Sequence, residues 1–217
     1  MILVKFIAGL IAVYYPEIDN CGETARHIVE LSDQAQMDPL YVASVIALES
    51  GFRSHAKSSV GALGLMQLIP STAKEVQATS LPKAARSAAP KLTDAWTNIK
   101  LGIDYLKQLE HKYRGNRFMA LAAYNWGMGN LDQAKATGAR IPGSVQDYAN
   151  SILERTVRWQ KHFKRASQSA DKILAPEKTK EGTLVAEAEP AENTEKAKQK
   201  IAGKNTKAKQ KKPKDLA

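Results

Sequence analysis

Between Thr24 and Phe163 the apolar residues recur mostly at helical intervals, and no stretch alternates in the manner of a half-buried strand. The pattern predicts a mainly α fold. A first amphipathic run covers 24–36, with Ile28, Val29 and Leu31 apolar. Asp38-Pro39 then supply an N-cap and a first helical residue for a second helix, whose positions Leu40 to Leu48 are apolar except for Ser44. Phe52 to Leu68 carries Gly61 and Gly64 and reads as an irregular loop. Pro70 opens another helix, where Thr72 and Glu75 fit a capping box. Leu81 to Pro90, alanine-rich with two prolines, reads as a linker. Three further helices are predicted at 94–113, 117–126 and 145–163.

The two ends differ from this middle. Met1 to Tyr15 is nearly all apolar and stops at Pro16, short of the roughly 20 residues a membrane span needs. Residues 1–21 are therefore read as a secretory signal or an uncleaved anchor, although Lys5 follows three apolar residues and no small-x-small cleavage site precedes Pro16. Ile18-Asp19-Asn20 before Cys21 lack the small apolar residues of a lipoprotein signal, so a lipid anchor is not expected. A single cysteine also excludes an intrachain disulfide. Residues 22–165 form the expected folded domain. After Phe163 no aromatic residue occurs, and residues 166–217, rich in Lys, Glu and Ala, are expected to be a disordered tail. Of the net charge of +10, most lies there, with nine lysines against one aspartate from Lys196 onward. Such a tail suits acidic wall polymers or a membrane surface; without aromatic residues to stack on bases, no specific nucleic acid is implied.

One carboxyl stands out. Val42, Val45 and Ile46 share a helical stripe with Glu49, so this acid points where the core-facing residues point. Gly51 follows where a helix commonly ends, and the helix dipole there also disfavours a negative charge. Burial can raise a carboxyl by up to roughly 3–5 units, far more than a helix terminus can, so desolvation dominates. Glu49 is then either a general acid held protonated near neutral pH or a half-buried glutamate bonded to loop amides. The next acidic residue along the chain is Glu75, so no second carboxylate is evident. The four histidines are scattered without ligand spacing, and no metal or cofactor is expected.

The blocks around Glu49 decide between these readings. Glu49-Ser50, then 56–67 (AKSSVGALGLMQ), then Asn98-Ile99-Lys100-Leu101-Gly102-Ile103-Asp104-Tyr105-Leu106, then Ala122-Ala123-Tyr124-Asn125-Trp126-Gly127 resemble, in order and spacing, the motifs of family 1 lytic transglycosylases. The resemblance covers about residues 22–165. It implies a lysozyme-like helical domain of the goose-lysozyme and lytic-transglycosylase type, with an irregular loop. It also implies an exported enzyme of the periplasm or cell envelope, monomeric and without cofactor, that cuts peptidoglycan glycan strands. In that family one glutamate, here Glu49, protonates the leaving oxygen. It then takes a proton from the C6 hydroxyl of N-acetylmuramic acid, giving a 1,6-anhydro product. By the same resemblance Ser58 hydrogen-bonds near the acid, Met66 forms a groove wall, Gln67 and Tyr124 hold the sugar, and Asn125 ties neighbouring loops. Tyr148 matches a family tyrosine beside the acid, although Ser144-Val145 stand where the family has a Glu-Thr pair. A hydrolytic muramidase and a non-catalytic peptidoglycan-binding module are the alternatives.

Overall fold

Asp38 behaves as its sequence suggests: its side chain accepts the backbone N–H of Leu40 at 2.8 Å, with Pro39 opening the helix behind it. A computed structural model describes residues 1–80 and 89–174, with side chains described up to Ser169. Eight helices are present among the described residues: α1 (Ile2–Tyr14), α2 (Cys21–Ala35), α3 (Pro39–Glu49), α4 (Pro70–Ser80), α5 (Ala95–Lys112), α6 (Arg117–Trp126), α7 (Met128–Thr137) and α8 (Gly143–Leu174). No strand occurs among them; the loop between α3 and α4 holds only isolated bridges, Lys57 with Leu63 and Leu63 with Leu68.

Helix α3 is apolar all round and is accordingly buried all round, from Leu40 to Ala47. It packs against α2 and α8, while α5 and α6 pack on each other and on α2 and α8 respectively. The central core joins Val42, Val45 and Ile46 to Ile28 and Leu31 of α2, Ile99 and Ile103 of α5, Leu121 of α6 and Ile152 of α8. Asp94 caps α5 by accepting the Thr97 N–H at 2.9 Å, and Asn116 caps α6 by accepting that of Met119 at 3.0 Å. These caps fix where α5 and α6 begin, and so how they flank the loop that follows Glu49.

The structure departs from the sequence pattern in three places, at α7, at the end of α8 and at Thr72. Helix α7 follows α6 after a break at Gly127, whose φ of 92° a side chain would resist. Helix α8 runs to Leu174, so the first nine residues of the expected tail are helical. Pro70 already begins α4, which puts Thr72 inside the first turn rather than at a capping position. The apolar segment expected as a signal or anchor forms α1, packed on α2 and α8 with Ile7 and Ile11 fully buried. Most of the Leu81–Pro90 linker and the remainder of the Lys-rich tail lie outside the described residues.

Candidate active site

Glu49 is the last residue of α3, half-buried, with the α8 residue Tyr148 donating its hydroxyl hydrogen to Glu49 Oε1 at 2.5 Å. Two influences oppose each other at this carboxyl. Burial raises it and the Tyr148 hydrogen bond lowers it; burial wins, and the pKa stands at about 7 against an ordinary 4.5. A carboxyl raised this far retains its proton much closer to neutral pH than an ordinary glutamate, and its conjugate base already has a donor in place. Two other carboxyls move the opposite way. Asp94 is lowered, chiefly by the Thr97 backbone N–H, and Asp132 by Lys112 and Tyr113. The Tyr148 hydroxyl is itself held well above 10, first by burial and then by the charge of Glu49, so it remains a donor.

The turn that follows Glu49 is sharp. Ser50 is buried, and both its N–H and its hydroxyl reach the Ile46 carbonyl, at 3.0 and 3.2 Å. Gly51 and Phe52 then take left-handed conformations with φ of 56° and 63°. The loop beyond folds back on itself around Asn98. This α5 side chain is fully buried, accepts the Met66 N–H at 2.7 Å, and donates to the carbonyls of Leu63 and Leu92 at 2.9 Å each. Gly64 allows that approach, since a Cβ there would lie 2.2 Å from both the Asn98 amide nitrogen and the Leu92 oxygen. Gly102 likewise leaves space for the Met66 sulfur.

Tyr124 is the second aromatic residue near Glu49. Its hydroxyl donates to the Met66 carbonyl at 2.7 Å, and its ring meets that of Tyr105 at 5.2 Å between centroids. It packs against all three apolar clusters of the domain, which ties the loop to α5 and α6. Burial, and after it the charge of Glu49, keep its hydroxyl well above 10.

Glu49 and Tyr148 come together as the sequence implies, despite Ser144-Val145 upstream. Other expectations need correction. Ser58 does not bond the acid: its oxygen accepts the Ala62 N–H at 3.0 Å and closes the turn at Gly61. The Met66 side chain is fully buried against Gly102 and forms no groove wall. Gln67, at φ 48°, spends its amide hydrogens on the carbonyls of Ala56 and Gly64, at 3.1 and 2.8 Å, and keeps only its amide oxygen for a ligand. Asn125 is exposed and ties no loops; the bond to the Trp126 carbonyl comes from Asn130, at 2.7 Å. Sequence reasoning assigned no part to Asn98 and Tyr105. The signal for Asn98 was available: it lies on the buried stripe of α5, and an asparagine on an apolar stripe must find partners.

The comparisons with known proteins agree with this geometry. The family model described as "Transglycosylase SLT domain" matches residues 27–142, and the chain belongs to that family. Over 92 residues it is 38% identical to the soluble lytic murein transglycosylase of Escherichia coli K12, covering 42% of this chain and 14% of that protein. Over 122 residues it is 34% identical to the transglycosylase of Enterobacteria phage PRD1, covering 56% of this chain and 41% of that protein. Among solved structures it is similar to the lytic transglycosylase Slt of Pseudomonas aeruginosa, determined as an inactive glutamate-to-glutamine mutant. That likeness has a TM-score of 0.56 at 28% identity and covers 64% of this chain and 24% of the other. The chain thus spans well under two thirds of either curated relative.

Proposed function

We propose that the chain is a peptidoglycan lytic transglycosylase that cleaves the β-1,4 bond between N-acetylmuramic acid and N-acetylglucosamine, with Glu49 as the single general acid and base. The observation that carries this reading is a lone carboxyl raised to about 7 and already bonded to Tyr148. In the first step the Glu49 proton passes to the glycosidic oxygen as its bond to C1 breaks, leaving a carboxylate that the Tyr148 hydroxyl stabilises. In the second, that carboxylate removes the proton from the C6 hydroxyl, and O6 closes on C1. The acid is restored and the product is a 1,6-anhydro sugar. No water enters, so no second carboxylate is needed to activate one, unlike the usual paired-acid arrangement.

The loop residues supply the rest. Gln67 offers its amide oxygen to sugar hydroxyl or acetamido N–H groups, and Ser58 its hydroxyl hydrogen. Tyr124 contributes by holding the Met66 carbonyl in place beside the acid. Asn125, exposed at the end of α6, reaches the glycan rather than the loops. We place the chain, as a monomer, in the periplasm or cell envelope, where this substrate lies. Its Lys-rich end adheres to acidic wall polymers or lipid headgroups. No helix among the described residues is long and apolar enough to cross a membrane.

Mass analysis of soluble fragments released from purified peptidoglycan tests the reaction. Anhydro ends, each lighter by one water than an ordinary reducing end, are expected. Reducing ends would make the chain a muramidase, and the absence of any release would make it a binding module.

A further inference from the structure

Helix α1 does more than cover the core. Its residues Ile7 and Ile11 are fully buried, and Phe6 meets Phe163 of α8 at 5.2 Å between ring centroids. Tyr15 closes the helix, its N–H on the Ile11 carbonyl and its own carbonyl accepting the Ile18 N–H of the turn into α2. From this fixed point the Tyr15 side chain reaches the end of α3. Its hydroxyl donates to the Ala47 carbonyl at 3.3 Å, and its ring stands edge-on to Phe52 at 5.1 Å. It also lies so close over Gly51 that a Cβ there would sit 3.2 Å from Cε1.

Those contacts bracket the acid. The carbonyls of a last helical turn have no partner within the helix, and Ser50 already serves that of Ile46, leaving Ala47 to be capped from outside. Two residues on, the chain must hold successive left-handed residues at Gly51 and Phe52, the second a side-chain-bearing residue that the surroundings have to keep there. Tyr15 touches the chain on both sides of Glu49. Without it the final turn of α3 is free to fray, and the carboxyl loses the fixed direction that brings it to Tyr148.

We infer that Tyr15 is a positioning residue for the acid, and that residues 1–15 are a permanent part of the catalytic domain rather than a segment the working enzyme can shed. The inference rests on the proposed role of Glu49. It is tested in the full chain by comparing Tyr15→Phe and Tyr15→Ala on soluble peptidoglycan fragments. Displacing a reacting group by about 1 Å can cost on the order of a hundredfold, so Tyr15→Ala should lower kcat roughly 10- to 100-fold with KM nearly unchanged. Tyr15→Phe, which keeps the ring and loses only the cap, should recover most of that loss. Ile7→Val trims a fully buried α1 side chain other than Tyr15; it should lower the melting temperature and leave kcat as it is. Intact-mass measurement of active protein recovered from producing cells should find residues 1–15 still attached. Wild-type kcat in a folded Tyr15→Ala variant, or an active protein lacking residues 1–15, would overturn the inference. Activity surviving in Glu49→Gln would instead remove the reading beneath it, so the two failures are distinguishable.

Discussion

Replacing Glu49 with Gln should leave the chain folded, more stable at alkaline pH, and without measurable glycan cleavage. The amide keeps the shape and can still accept the Tyr148 hydrogen bond, but has no acidic proton to give. General acid catalysis contributes roughly 10²- to 10⁴-fold, and here the same group serves both steps, so a loss at or beyond the upper figure is expected. The stability change follows from linkage. A carboxyl raised from 4.5 to about 7 binds more protons in the folded chain than in the unfolded one across that interval. Stability is therefore full below about pH 4.5 and declines as pH rises through 7, where the buried group must ionise. The shift corresponds to on the order of 3 kcal/mol at alkaline pH, an upper figure because the group is only half-buried. Denaturant unfolding of both forms at pH 4 and pH 8 measures it. The variant should match wild type at the lower pH and exceed it at the higher.

The largest loss of stability is expected from Asn98→Ala. That side chain is fully buried and makes three hydrogen bonds; its removal leaves the Met66 N–H and the Leu92 carbonyl without partners, while the Leu63 carbonyl keeps the Leu68 N–H. At roughly 1–3 kcal/mol for each unsatisfied group the cost is about 2–6 kcal/mol, a large share of the 5–15 kcal/mol typical of a folded domain. Gly64→Ala should break the same arrangement from the other side, by driving a methyl into Asn98 and the Leu92 carbonyl. The double variant should then be much less than the sum of the two, since both remove one staple. Thermal unfolding should show a drop on the order of 10 °C or more for Asn98→Ala. A change under about 1 kcal/mol would mean that the loop is held by other contacts.

Why some of this could be read from residue order and some could not is a matter of where the energy lies. Helix α3 announces itself because an unbroken apolar run between a strong cap and a glycine has one economical solution, a buried helix, and Glu49 at its end follows. Helix α7 is nearly silent: only Leu131 and Ala134 are buried, too little for a periodic signal, and Gly127 and Gly129 argue against continuation. Residues 1–15 carry an apolar composition that suits a bilayer or a core alike, so their contacts with Phe163, Phe52 and α2 could not be read from the sequence. In the loop after Glu49 the residue types were legible but their directions were not. An irregular segment must find partners for its own backbone groups, so Ser58, Gln67 and Asn98 turn partly or wholly inward. Tyr148 became visible through its family match although its neighbours differ, and its hydroxyl reaches Glu49 from the start of α8.

Catalysis by Glu49 requires that its carboxyl hold a proton near neutral pH, and the most direct measurement is the titration of that carboxyl followed by ¹³C NMR, assigned by its disappearance in Glu49→Gln. A midpoint near 7 is expected, moving higher still in Tyr148→Phe, because the lost hydrogen bond favours the charged form. A midpoint near the ordinary 4.5, unmoved by Tyr148→Phe, would leave Glu49 ionised at neutral pH and contradict its assignment as the proton donor.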